Sequence, residues 1–278
     1  MTAINTKTMK LSNAFFPFRP LFSIPLAVFG CGVTLLLAHS ALAEDFQEDY
    51  VTPIETAHGA PVWWSKGGVK AHIRNEFGGK LRFEGTMVMN PSASRTRMEL
   101  SDGTVVVFDG EKCWVSPVNS KFEAARFHAL TWPYFLAAPM KLGDRGTKLE
   151  DLGTLKLNGK KYDGARLTFE EGVGDAPDDW YVLYRDPDSH ALAAMAYVVT
   201  YFGGDAAPAK EPHAVTYEKF ETVEGVQVPT LWKFWNWSME KGLAESLGKV
   251  EISEVEFVTP DADAFTKPEG AKEDAMPE

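Results

Sequence analysis

The sequence predicts a mainly β, α+β domain: a large, curved antiparallel sheet forming a half-open barrel, with one or two helices against its concave face. Three observations predict it. From Val69 onward, short runs rich in β-branched and aromatic residues succeed one another, separated by Gly-Gly and Asp-Gly pairs suited to tight turns. Their number, roughly ten or more, is one at which an open sheet curls. In the stretch from Asp178 to Phe202, a hairpin around Asp186-Pro187-Asp188-Ser189, both parities are apolar: Trp180, Val182 and Tyr184 against Tyr181 and Leu183, then Ala196 and Val198 against Met195, Tyr197 and Val199. A sheet with one wet face alternates apolar with polar, so both faces of this hairpin are expected to be covered, one of them by something beyond the protein's own core.

Residues 1–43 form a separate region. Of the 28 Lys+Arg, only Lys7, Lys10 and Arg19 lie there, with no acid, ahead of an apolar run from Leu21 to Leu37 and the small-residue end Ala41-Leu42-Ala43. That is the pattern of a secretory signal peptide, with the mature chain starting at Glu44 and destined for the periplasm. A lipoprotein signal at Val28-Phe29-Gly30-Cys31 and an uncleaved anchor are the competing readings. Without those three bases the chain carries 25 Lys+Arg against 39 Asp+Glu, near −14, which opposes nucleic acid and anionic membrane surfaces as partners. Cys113 alone follows the leader, so no intramolecular disulfide is available and stability has to come from the core.

Ile54, Ala57, Pro61, Val62 and Trp63 recur at helical spacing, and Gly67-Gly68 follows as a stop, so a short helix against a sheet edge is expected over 51–66. Period two then takes over. Val69, Ala71, Ile73 and Phe77 alternate with Lys70, His72, Arg74 and Glu76, and Gly78-Gly79 turns the chain into a partner carrying Leu81, Phe83, Met87 and Met89. Strands at 95–100, 104–108 and 112–116 follow. Between Ser120 and Met140, aromatic residues crowd around Pro133 and Pro139, which predicts a helix to about Ala129 and an irregular segment after it. Strands resume at 148–157, 160–171, the hairpin, 213–223, 226–240 and 245–259, with a longer loop at 203–208. From Pro260 the composition turns to Asp, Pro, Glu and Lys, so residues 267–278 are expected to be a disordered acidic tail after a single domain over 44–266.

Three motifs carry a resemblance. They are Val107-Phe108-Asp109-Gly110-Glu111-Lys112-Cys113-Trp114-Val115-Ser116-Pro117; the pair Pro139-Met140-Lys141-Leu142 and Leu149-Glu150-Asp151-Leu152-Gly153; and the run from Pro177 to Pro187. With the leader, the chain resembles an uncharacterised family of exported bacterial proteins similar to the LolA-like periplasmic lipoprotein carrier and sorting superfamily, over most of residues 50–260. The resemblance implies a half-open antiparallel barrel closed by helices around an apolar cavity that holds acyl chains.

The candidate cavity residues are Phe83, Met87, Met89, Met98, Phe127, Leu130, Trp132, Phe135, Trp180, Met195, Tyr197 and Trp235. The cluster at 127–140 reads as a lid whose soft surfaces adapt to a flexible ligand, ordinary core packing being the competing reading. Trp235 and Trp237 share one strand face, Trp232 and Phe234 the other; an aromatic mouth competes with plain cross-strand packing. The carboxylates at 175–179 lack the spacing of a calcium loop and read as a turn. His58, His72, His128, His190 and His213 are scattered, there is no Gly-x-Ser-x-Gly elbow, and Cys113 sits in a strand as a small buried residue. The sequence therefore points to a monomeric, non-enzymatic binding or carrier protein without metal or cofactor, whose partner is a hydrophobic small molecule or acyl chain. An envelope-protein interaction or sensing module is the second reading, and an unrecognised hydrolase the third.

Overall fold

A computed structural model of the chain describes residues 46–173, 178–201 and 211–276. The leader, the carboxylate stretch at 174–177 and the loop at 203–208 lie outside these residues. Two helices, α1 (46–58) and α2 (Ala60–Trp64), precede β1 (Gly68–Phe77), β2 (Lys80–Met89), β3 (Thr96–Leu100), β4 (Val105–Phe108) and β5 (Cys113–Ser116). Helix α3 (Ala125–Ala137) and a single 3-10 turn (Ala138–Met140) interrupt the strands. Then come β6 (Thr147–Leu157), β7 (Lys160–Phe169), β8 (Tyr181–Arg185), β9 (Leu192–Tyr197), β10 (His213–Val223), β11 (Val226–Ser238), β12 (Gly242–Val258) and β13 (Lys272–Glu273). All pair antiparallel in one open sheet of order β13-β5-β4-β3-β2-β1-β12-β11-β10-β9-β8-β7-β6. The predicted curved half-open barrel is the architecture present, with successive strands paired as neighbours except where β1 meets β12 and β13 meets β5.

The first helical segment extends the expected one and breaks in the middle. Gly59 adopts φ 78°, and a Cβ there would fall 2.4 Å from the Gly225 carbonyl oxygen, so a side chain is excluded where the helices press on the β10–β11 turn. The pair begins at the sheet edge, as the sequence suggested, where Gln47 Nε2 donates to Thr147 Oγ1 of the edge strand β6 at 3.2 Å, and continues inward across the concave face. Tyr50 Oη donates to the Asp163 carbonyl at 2.9 Å. His58 Nδ1 donates to the Gln227 carbonyl at 3.0 Å while its Nε2 accepts from Leu192 N–H at 3.1 Å, which requires a neutral ring, and burial lowers its pKa accordingly.

Helix α3 corrects a second expectation. It runs through Pro133 to Ala137 instead of ending near Ala129. Pro133 removes one backbone bond at a cost of about 3 kcal/mol, but Trp132, Phe135 and Leu136 are buried against the sheet, each contributing roughly 1.5–3 kcal/mol. Burial wins. The tail is the third correction: Lys272 and Glu273 pair with Val115 and Trp114 of β5, and Asp274 N–H donates to the Cys113 carbonyl at 2.9 Å. Acidic composition argues against a core but does not prevent a few residues from covering an open sheet edge.

The hairpin β8–β9 is buried on both faces. On the concave side Tyr181, Leu183, Met195 and Tyr197 join the main core with the helices. On the convex side Val182, Tyr184, Ala194 and Ala196 pack with Leu157, Ala214 and Trp237 in a second cluster, flanked by Leu152, Leu155, Tyr162, Trp180 and Leu243. This second cover comes from the chain itself. Asn158, in the β6–β7 turn, accepts through Oδ1 from Leu243 N–H at 3.2 Å, holding that hairpin against the β11–β12 end.

Candidate functional site: an aromatic cavity under helix α3

Between helix α3 and the concave face lies a half-open cavity of about 730 Å³. The strand register explains its floor. Phe77 on β1 pairs with Gly248 on β12, which pairs with Phe234 on β11, so a glycine separates two aromatic positions. A Cβ on Gly248 would lie 2.7 Å from the Phe77 ring, and without it Phe77 and Phe234 meet with centroids 5.0 Å apart. Trp132 comes down from α3 onto both, 6.2 Å from Phe77 and 6.0 Å from Phe234. A second group of rings continues the wall: Tyr134 lies 5.6 Å from Tyr181, Tyr181 6.3 Å from Tyr197, and Tyr197 6.2 Å from His213. Burial raises the Tyr134, Tyr181 and Tyr197 pKa values, so these hydroxyls stay neutral.

Polar and charged side chains, among them Arg82, Ser92, Ser94 and Arg145, share the lining with the rings, and several of them are committed to partners. Trp132 Nε1 donates to His128 Nδ1 at 3.0 Å across stacked rings, and burial, opposed in part by Asp274, lowers the His128 pKa to about 4. Tyr217 Oη donates to the Phe135 carbonyl at 2.9 Å, fixing α3 to β10. Lys141 and Asp144 form an ion pair at the rim, and Asp179 accepts from Thr200 N–H and Oγ1 at 2.7 and 2.8 Å. Two lining nitrogens, Asn75 Nδ2 and His213 Nδ1, are sealed from solvent without a hydrogen-bond partner.

Five of the twelve sequence-derived candidates line this space: Phe127, Leu130, Trp132, Phe135 and Tyr197. Phe83, Met87, Met89, Met98 and Met195 lie in the packed core instead. Trp180 packs against the convex cluster, and Trp235, whose Nε1 donates to Thr216 Oγ1 at 3.1 Å, shares the convex face with Ala214, its partner across the β10–β11 ladder. Period two separated Trp235 from Phe234 correctly but does not say which face is concave. Asn75, Phe77, Tyr134, Tyr181, His213 and Phe234 also line the cavity. For Asn75 a signal was present, an amide at an inward position between Ile73 and Phe77. Among the described residues no group of three His, Cys, Asp or Glu is placed to hold a metal, and no helix is long and apolar enough to cross a membrane. Cys113 is buried, which pushes its thiol up to about 12, far from nucleophilic range.

The chain forms a half-open antiparallel barrel with helices in its concavity. Similar solved structures include a LolA superfamily protein from Nitrosomonas europaea, at 12% identity over 75% of this chain and 97% of that one, with a TM-score of 0.48. A domain assigned to outer-membrane lipoprotein sorting from Vibrio parahaemolyticus matches at 10% identity over 76% and 95% of the two chains, TM-score 0.45. A DUF1329 family protein from Desulfovibrio piger matches at 11% identity over 77% and 97%, TM-score 0.40. No protein-family model and no curated protein matches the chain.

Proposed function

We propose that this chain is an exported, periplasmic binding protein that holds a lipid, acyl chain or other hydrophobic ligand in the cavity under α3, without catalysing a reaction. The observation that carries the reading is the cavity itself: about 730 Å³ walled by aromatic rings on a helix and a concave sheet, within the roughly 300–1,000 Å³ range of small-molecule sites. Each methylene moved from water into such a site contributes about 0.8 kcal/mol, which favours long-chain ligands over small polar ones. The leader pattern at 1–43 supports export, and a net negative surface supports a ligand taken up for its apolar body. The commitment of His58 and His128 to structural hydrogen bonds supports a binding role over catalysis.

The test is native mass spectrometry of the mature protein from its own cell envelope, followed by titration of the delipidated protein with a fluorescent fatty acid. Copurified amphiphile and saturable micromolar binding are expected; a protein that carries nothing and shows no saturable binding refutes the reading.

A further inference from the structure

Helix α3 is held differently at its two ends. Its second half buries Trp132, Phe135, Leu136 and Ala137, runs into the buried turn Ala138–Met140, and is tied to β10 where Tyr217 Oη donates to the Phe135 carbonyl. In its first half the buried residues are two alanines, Ala125 and Ala129, while Phe127, His128 and Leu130 are half-buried along the cavity wall. That end also lacks a cap of its own. Ala124, which precedes the helix at φ 51°, has no side-chain acceptor for a first-turn N–H, and the first turn contains no acid. The acceptor comes from 148 residues away: Asp274 Oδ2 accepts from the Arg126 N–H at 2.8 Å, which also sets a carboxylate at the positive end of the helix. Asp274 ends a segment, residues 269–274, laid along β5. The Glu269 carbonyl accepts from Ser116 Oγ at 3.3 Å, Lys272 and Glu273 pair with Val115 and Trp114, Lys272 Nζ donates to the Ser120 carbonyl at 2.9 Å, and Glu273 meets Lys112 at 3.1 Å. No residue from 267 to 276 is buried. A segment held by edge hydrogen bonds and exposed charges, with no buried side chain, lies at the low end of local stability. The loosely packed end of α3 therefore depends on the segment that detaches most easily.

We propose that residues 269–274 are a releasable strap: when Asp274 leaves the Arg126 N–H, the first half of α3 loses its cap and swings from the sheet about its buried second half, opening the cavity beside Phe127 and His128. This rests on the apolar-ligand reading and adds the route by which the ligand is exchanged. Asp274 does not line the cavity, so it is a positioning residue that acts through α3. The strap is fastened both before a ligand enters and after it is held. Releasing it raises the population of the open state in both cases, which speeds entry and exit by the same factor and leaves affinity unchanged.

The experiment follows amide hydrogen exchange at Arg126 and Leu136 by NMR in the delipidated mature protein, and the entry and exit of N-phenylnaphthylamine by stopped-flow fluorescence. Asp274→Ala is expected to speed exchange at the Arg126 N–H about fivefold, the usual consequence of losing a helix cap, and to leave Leu136 unchanged. Its association and dissociation rates for the probe are expected to rise together by about the same factor, with Kd within about twofold of wild type. Asp274→Asn, which keeps an acceptor oxygen, is expected to restore both rates to within about twofold. Arg126 exchange unaltered by Asp274→Ala overturns the cap and the strap with it. Faster Arg126 exchange without faster probe exchange, or a weaker Kd at an unchanged association rate, overturns the strap as a gate and leaves the apolar-ligand reading standing. Absence of saturable probe binding by the wild-type protein overturns the apolar-ligand reading and the gate together.

Discussion

The two faces of the sheet around β8–β11 are both rich in aromatic residues, yet they do different things. On the convex face Tyr184 and Trp237 join through a 3.1 Å hydrogen bond from Trp237 Nε1 to Tyr184 Oη, and the β6–β7 hairpin bends over them. No residue of that cluster lines the cavity. On the concave face rings of α3 meet rings of the sheet, Trp132 with Phe77 and Phe234 and Tyr134 with Tyr181, and the space they line remains open beside those contacts. An apolar face is thus evidence of cover, and only its curvature tells whether the cover leaves space.

The largest expected effect tests the convex face. Trp237→Ala removes a buried ring and orphans the Tyr184 hydroxyl, and should cost about 3–5 kcal/mol in urea unfolding while leaving the ligand affinity of the folded fraction unchanged. A comparable loss of affinity would show that the two faces are not separate.

Acid should act on the concave face instead. The His128 pKa is about 4 when folded, below the ordinary 6.5, so the unfolded chain takes the proton first. The stabilisation is complete above pH 6.5 and is lost as pH falls toward 4. His58, lowered for the same reason, adds to the loss in the same direction. Protonated His128 no longer accepts from Trp132 Nε1, so tryptophan fluorescence should report loosening of α3 along with a loss of the order of 1–3 kcal/mol between pH 7 and 5. Stability unchanged over that range would contradict the buried neutral rings.

The smallest effect on stability should come from filling the cavity. Leu130 is half-buried on its wall, and Leu130→Trp should change unfolding free energy by about 1 kcal/mol or less yet weaken fatty-acid binding at least tenfold. Intact binding in a well-folded Leu130→Trp protein would place the ligand elsewhere.

Much of this was legible in the sequence. Strand positions, the turn at 186–189 and the assignment of Trp232 with Phe234 to one face and Trp235 with Trp237 to the other follow from period two and turn chemistry, which are local. The misses share a cause. Met87, Met89 and Met98 belong to the inward face, as expected, but there the space is filled by neighbouring core, a matter of what lies opposite. Pro133 sits inside α3 because distant strands reward the helix for continuing, and residues 272–273 are ordered because β5 offers an open edge.

By itself, then, the sequence determined the class of fold, the order of its strands and the pairing of side chains into faces, since backbone geometry ties each residue to its near neighbours. The tertiary structure alone decided which face is concave, that the convex one is closed by its own hairpin, and that the Asn75 amide is buried beside Phe83 and Val250. Those outcomes depend on the curvature accumulated over thirteen strands, to which every strand contributes and which none encodes alone.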